Sequence, residues 1–135
     1  MTGCFARALG ISIVVIGTPL AEGLACPDLT GVFECPATAT QTATILKIKT
    51  SMGPKGSASY TFTYNVMGKS ISAEIDAVDT TGKSETLFNY CFDNAYFHRD
   101  PKDKGEGTKS FINQAGHFER TKDGKLEMMC SRKAQ

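Results

Sequence analysis

The chain has 135 residues, with 15 basic and 14 acidic side chains and a formal net charge of +1. Because acids and bases alternate along it, no basic stripe is available for nucleic acid, and we expect no nucleic-acid partner. A chain of this length is enough for one hydrophobic core and too short for two domains of ordinary size. We therefore predict a single domain.

The first residues have the layout of a secretory signal peptide. Arg7 precedes an apolar run from about Ala8 to Ile16, and small residues follow up to Ala25. The run is much shorter than the roughly twenty residues that a membrane-spanning helix needs. We predict a signal peptide at 1–25 and a domain at 26–135 that is secreted or periplasmic, with no transmembrane segment in the mature chain.

The cysteines that remain after cleavage form an even set, which is typical of two disulfides in an exported protein: Cys26, Cys35, Cys91 and Cys130. The alternative is a lipoprotein acylated on Cys26, but Gly23 stands where a leucine is usual, and acylation would leave one thiol unpaired. A zinc site would need cysteines at close spacing, and no C-x-x-C pair occurs. We predict disulfides and keep lipidation of Cys26 as the alternative.

From Leu29 onward the residues favour strands, with apolar and polar side chains alternating and turn residues about every ten positions. The clearest stretch is 60–66, followed by a two-residue turn at Gly68-Lys69. This turn predicts a hairpin whose large residues share one face, with pairs Val66/Ile71, Tyr64/Ala73, Phe62/Ile75 and Tyr60/Ala77.

Further turns extend the meander. A loop at 79–82 would place Ile75 opposite Thr86, Ala73 opposite Phe88 and Ile71 opposite Tyr90. A tight turn at Asp93-Asn94 would align Tyr90 with Phe97 and Asn89 with His98, and a three-residue turn at 122–124 would align Phe118 with Met128 and Arg120 with Leu126. The fold class is therefore all-β, an antiparallel meander of about eight strands, as a closed or half-open barrel or a sandwich.

Strand parity ranks the three possible disulfide connectivities. Cys35 shares a strand face with Phe33, and Cys130 shares one with Leu126 and Met128, so both are predicted to point inward. In a closed meander the first and last strands touch. This arrangement favours Cys35–Cys130 and leaves Cys26 to pair with Cys91.

Candidate chemical residues are sparse. Each histidine has a carboxylate two positions later, His98 with Asp100 and His117 with Glu119, and residues i and i+2 share a strand face. Such pairs arise easily on wet strand faces, so we interpret them as solvated. Asp100, Asp103 and Glu106 lack calcium-loop spacing, and Ser110 lacks a nucleophile motif. We expect no catalytic residue, no metal and no cofactor, and therefore a protein that is not an enzyme. A hydrolase-like enzyme that uses His98 or His117 is the third alternative, after the two binding functions.

Six aromatic residues are predicted to lie on one continuous face: Tyr60, Phe62, Tyr64, Phe88, Tyr90 and Phe97. This face is either a filled core or the lining of a cavity, since an eight-stranded barrel has room for one small ligand. The buried tyrosines need partners for their hydroxyl groups. We predict a binding module for a small apolar ligand.

The segment 28–34, Asp-Leu-Thr-Gly-Val-Phe-Glu, resembles the opening of lipocalin-like (calycin) barrels, where a glycine and an aromatic two residues later begin the first strand. Such barrels carry a basic residue on the last strand that packs across that aromatic. The resemblance implies this role for Arg120 or Arg132 against Phe33, and binding of a small apolar ligand at the barrel mouth.

A second resemblance is to the small exported bacterial lysozyme inhibitors, through the aromatic-x-Cys start at Val32-Phe33-Glu34-Cys35. It implies an alternative function as an exported inhibitor or cell-envelope interaction protein. In that case the glycine-rich, charged loop at 100–108 would be the contact surface for a protein partner.

Overall fold

The computed structural model describes residues 26–39, 41–84 and 86–134, and the predicted signal peptide at 1–25 lies outside these ranges. Alternating β-branched or aromatic and polar residues form the strands, because such side chains suit a pleated surface that is wet on one face. The strands are β1 Gly31–Cys35, β2 Thr44–Met52, β3 Ala58–Val66, β4 Lys69–Asp79, β5 Asn89–Phe92, β6 Ala95–His98, β7 Thr108–Ile112, β8 Phe118–Lys122 and β9 Lys125–Arg132.

The strands close into a barrel in sequence order, from β1 round to β9 and back to β1. This confirms the all-β barrel prediction, with nine strands in place of about eight. Every neighbouring pair is antiparallel except β4 and β5, which run parallel. The barrel therefore consists of two antiparallel meanders, which we call the first half (β1–β4) and the second half (β5–β9).

The β3–β4 hairpin exists, but its predicted register is wrong by two residues. Met67 and Gly68 are the turn residues, with φ of 54° and 79°, so Val66 pairs with Lys69 and Tyr64 with Ile71. A two-residue turn that matches the twist of the strands needs positive φ at both central positions, and Gly68 fits the second of them. The shift is an even number, so the same side chains still share a face.

The predicted antiparallel pairing of β4 with the segment 84–92 is also wrong. Residues beyond Asp79 do not fold back as a hairpin; they cross over, and β5 aligns parallel to β4 through Val78/Tyr90 and Asp79/Cys91. Within the described residues, Lys69–Ala77 has no strand partner on the β5 side. The wall of the barrel is therefore open between the greater part of β4 and its neighbour.

In the second half, the turn at Asp93-Asn94 is confirmed, with Tyr90 opposite Phe97 and Asn89 opposite His98. The turn before β9 differs from the prediction, because Asp123 and Gly124 alone form it. Lys122 then pairs with Lys125. A bulge in the β8–β9 pairing shifts the register by one residue. Arg120 therefore lies opposite Met128 and Phe118 opposite Cys130, while Leu126 is 57% exposed.

Two disulfides join the halves, Cys26–Cys91 and Cys35–Cys130, the pairs that strand parity favoured. Backbone pairing between the halves is short, with two residue pairs between β1 and β9 and two between β4 and β5. We call these joins the β1/β9 seam and the β4/β5 seam. Cys35–Cys130 lies at the first and Cys26–Cys91 at the second, so each disulfide reinforces a join with little backbone hydrogen bonding.

The main core lies inside the barrel and contains side chains from both halves. Leu29, Phe33, Leu46, Tyr60 and Phe118 are all fully buried. The hydroxyl of Tyr60 donates a hydrogen bond to the carbonyl of Pro27 at 2.6 Å, and burial raises the pKa of this tyrosine well above its usual range. The hydroxyl is therefore a permanent donor that ties the leader segment to the barrel.

Candidate functional site

The six aromatic residues predicted on one face are divided between two sides of the wall. Tyr60, Phe62 and Tyr64 point into the barrel, whereas Tyr90 and Phe97 form a separate cluster outside it, and Phe88 is 51% exposed. The cause is the β4/β5 seam: parallel alignment brings Cys91 and Tyr96 inward, so their chain neighbours Tyr90 and Phe97 point outward. The prediction of one continuous face is wrong.

The outer cluster borders a surface pocket of about 320 Å³. Its floor is the stacked pair Tyr90–Phe97, with ring centroids 5.2 Å apart and planes 6° from parallel. Lys83 and Glu106 form an exposed ion pair at 2.9 Å, which links the 80–88 crossover to the 100–108 loop above these rings. Arg99 secures that loop by donating to the carbonyls of Asp103 and Gly105. This pocket therefore lies outside the barrel, between the crossover and the 100–108 loop.

A second pocket, which we call the side cleft, lies where the barrel wall opens beside β4. It has a volume of about 210 Å³ and is lined by Phe62 and Tyr64 of β3, Ala73 and Ile75 of β4, Tyr96 and His98 of β6, Thr108 of β7 and Arg120 of β8. Five strands thus contribute side chains to the cleft, which lies beside the unpaired part of β4. Apolar and polar groups converge here, which is the usual character of a small-molecule site.

The polar side of the cleft holds Arg120. Its Nε donates to the hydroxyl of Ser110 at 3.3 Å, its Nη2 donates to the hydroxyl of Tyr64 at 3.0 Å, and its guanidinium carbon lies 5.6 Å from the Phe118 ring centroid. Ser110 is fully buried. These contacts from β3, β7 and β8 hold the guanidinium in one orientation at the cleft.

Asn89 holds two of the residues that line the cleft, Tyr96 and His98. Its Oδ1 accepts a hydrogen bond from the hydroxyl of Tyr96 at 2.6 Å and lies 2.9 Å from Nδ1 of His98. Because an amide oxygen only accepts, Nδ1 of His98 is the donor in this contact. Burial raises the pKa of Tyr96, although the nearby Arg120 opposes the rise. Tyr96 therefore stays protonated and fixed.

The histidine–carboxylate pairs do not come together. His98 bonds Asn89, while Oδ1 of Asp100 accepts from the backbone N–H of Lys102. Nδ1 of His117 accepts from the backbone N–H of Arg132, and Glu119 accepts from the side chain of Asn113. In the part of the chain that the structure describes, no three His, Cys, Asp or Glu side chains are grouped as metal ligands.

A more voluminous depression, about 520 Å³, lies near Cys35 at the ends of β1 and β2. It is more open than the side cleft and has Glu34 as its charged residue. Volume alone does not mark a site, whereas convergent polar groups held by buried contacts do. The side cleft is therefore the candidate site.

Of the two arginines that the lipocalin-like resemblance implied, Arg132 lies over Phe33, with its guanidinium carbon 4.9 Å from the ring centroid. Gly31 is close to both, since a Cβ there would come 2.6 Å from Nη1 of Arg132. Comparison of the chain with protein-family models, with curated proteins and with solved structures gives no match. Membership of the lipocalin-like family stays a prediction.

The two disulfides indicate an oxidising, extracytoplasmic environment. Across 26–39, 41–84 and 86–134, no helix has the length and hydropathy needed to span a membrane.

Sequence reasoning missed Arg120, Tyr96 and Asn89 as site residues. The sequence predicts Arg120 opposite Leu126, and the lipocalin-like resemblance gives it a role against Phe33, but neither points to a cleft. Alternation alone does not place Tyr96 on the inner face, because the parallel β4/β5 alignment determines that face. The signal available was the alternation Phe118-x-Arg120, which puts a charge on the same face as a core aromatic residue. Such a charge on an inward face is a reason to expect a cavity.

Proposed function

We propose that the protein is exported to the periplasm or secreted and binds a small, mainly apolar ligand in the side cleft, without catalysing a reaction on it. The observation that carries the proposal is the cleft itself. Phe62 and Tyr96, almost fully buried, form its apolar floor, and the aliphatic side chains of Ala73 and Ile75 form one wall. A ligand there would cover apolar surface that the open β4 edge leaves exposed.

The binding test uses 2-phenylethanol, a neutral probe small enough for the cleft, in an NMR titration of isotope-labelled mature protein. We expect saturable shifts at the amides of Ile75, Tyr96 and His98. Ala73→Trp places a large side chain in the cleft and should abolish them. Ser72→Trp is the matched control, because residue 72 faces the other side of β4, where its hydroxyl contacts Thr63.

Binding that survives Ala73→Trp, or shifts scattered over the surface, would contradict the proposed site. Export is tested separately by the intact mass of the protein isolated from its native host. A mass beginning at Cys26 that takes four alkyl labels only after reduction supports a secreted or periplasmic protein with two disulfides. Added acyl mass on Cys26 would instead identify a lipoprotein.

A further inference from the structure

We propose that the side cleft selects ligands that carry a carboxylate, which Arg120 binds while the apolar body of the ligand lies against Phe62 and Ile75. This inference rests on the proposed function and adds the chemical class of the ligand. It follows from three features of Arg120: its fixed orientation, its unused donors and the absence of a neighbouring acid.

Arg120 is fixed before any ligand arrives. Its contacts with Ser110 and Tyr64 use one N–H on Nε and one on Nη2. The partners lie on strands from opposite halves of the barrel, and one of them is fully buried. A guanidinium held in this way loses little conformational freedom when it binds an anion.

A guanidinium carries five N–H donors, so two used donors leave three. In the described residues no carboxylate lies within ion-pair distance of Arg120. The ion pair found among those residues, Lys83–Glu106, does not involve it. Glu74 and Asp76 alternate with the cleft-facing Ile75, so they are on the other face of β4, where Oδ1 of Asp76 accepts from Ser59. Asp79, at the end of β4, is not among the residues that line the cleft. Arg120 therefore supplies the one permanent charge among the residues that line the cleft.

A half-buried guanidinium without a carboxylate has given up part of its hydration without gaining an ionic partner. A planar carboxylate matches the geometry of the remaining N–H groups and can accept two parallel hydrogen bonds from them. Tyr96 does not compete for the ligand, because its hydroxyl already donates to Asn89. A small aryl or short alkyl carboxylate would satisfy the charge and cover the apolar floor together.

The test compares phenylacetate with 2-phenylethanol, which have the same ring and chain and differ in the charged group. Binding is measured by NMR titration of the oxidised mature protein at neutral pH and constant ionic strength. We expect phenylacetate to bind about tenfold or more tightly, as a charge-assisted bidentate contact predicts. In Arg120→Gln this advantage should disappear, so that the ratio of the two affinities falls to about one.

Two further variants keep the result interpretable. Lys109→Gln removes a positive charge outside the barrel, where Nζ lies 5.3 Å from the Phe111 ring centroid, and should leave the preference for phenylacetate intact. Arg120→Lys retains the charge and loses the planar fork, so we expect an intermediate preference. This variant also serves if Arg120→Gln does not fold.

The outcomes separate the two proposals. If 2-phenylethanol binds in the cleft and phenylacetate binds no better, the carboxylate proposal fails and the binding proposal stands. If Arg120→Gln and Lys109→Gln reduce phenylacetate binding equally, the preference is a general charge effect and the role of Arg120 is refuted. If neither probe binds the cleft, both proposals fail.

Discussion

At the scale of single residues, the carboxylate of Asp28 stabilises the start of β1. Oδ1 of Asp28 accepts a hydrogen bond from the backbone N–H of Thr30 at 3.0 Å. The side-chain hydroxyl of Thr30 is the main cause that lowers the pKa of Asp28 below its ordinary value of 3.8. A lowered folded-state pKa means that the ionised form favours folding. The contribution is complete above pH 3.8 and is lost as the pH falls through the folded-state pKa.

Asp28→Asn tests this link between charge and stability. At pH 7 we expect the variant to unfold at a lower urea concentration than the wild type, because the amide keeps an acceptor but loses the charge. As the pH falls from 3.8 through the lower folded-state pKa of Asp28, the aspartate becomes neutral and the two midpoints should converge. A gap that stays constant from pH 7 to pH 2.5 would show that charge is not the cause.

At this scale the sequence predicted much of the core and little of the site. Phe33, Cys35 and Cys130 are inward as their strand parity required, because a period of two fixes the face of each residue in a regular strand. Leu126 is exposed because a bulge lies between it and Met128. Arg120 gains its role from its contact with Tyr64 across the barrel, which alternation within one strand does not encode. Asn89 contacts Tyr96 and His98 of the adjacent strand β6.

At the scale of elements, the β3–β4 turn carries a residue that is poorly suited to its conformation. Met67 has φ of 54°, and its side chain is 87% exposed. Side-chain packing therefore does not offset the free-energy cost of its left-handed backbone. Asparagine tolerates this conformation better. Met67→Asn should raise the free energy of unfolding by about 0.5–1 kcal/mol, measured by urea denaturation.

The β5–β6 turn provides the reverse control. Asp93 occupies the corresponding first position with φ of 54°, and Asp93→Met should lower the free energy of unfolding by a similar amount, about 0.5–1 kcal/mol. If neither Met67→Asn nor Asp93→Met changed the free energy of unfolding, methionine at these left-handed positions would not lower stability.

The open side of β4 leaves backbone donors and acceptors that another strand could pair with. Glu74 lies on this edge and its charge opposes such pairing. Glu74→Val should produce concentration-dependent self-association, measured by sedimentation. Glu34→Val makes the same change in charge and apolarity on β1, which is paired on both sides, and should stay as dispersed as the wild type. Equal behaviour of the two variants would contradict an edge effect.

The turn chemistry explains which elements were predictable. Asp93-Asn94 was aligned correctly because two residues that tolerate positive φ stand together. The sequence does not identify Met67-Gly68 as the turn, because methionine gives no turn signal. The β4/β5 seam was missed for a different reason: a parallel join depends on how distant strands meet, and local patterning favoured a further hairpin.

At the scale of the whole molecule, the two halves are joined by two short seams, each with a disulfide. The loops that these disulfides close span 65 and 95 residues, so both restrict the unfolded chain strongly. We expect Cys26→Ala/Cys91→Ala and Cys35→Ala/Cys130→Ala each to lower the free energy of unfolding by about 2–4 kcal/mol, measured by urea denaturation.

The variant lacking all four cysteines is the control for the effect of reducing agent. Its unfolding midpoint should not change when reductant is added, whereas the wild type should become less stable. A wild type whose midpoint is insensitive to reduction would show that the backbone pairing and the core alone hold the two halves together.

The disulfide arrangement also determines what one cut in the chain would do. Cys26, in the leader before β1, and Cys35 precede the crossover between β4 and β5, whereas Cys91 and Cys130 follow it. Cleavage of the crossover after the exposed Lys83 would therefore yield two polypeptides that migrate as one species until they are reduced. The two disulfides close overlapping loops, and both loops contain this connector, so a protease that cuts it releases no fragment.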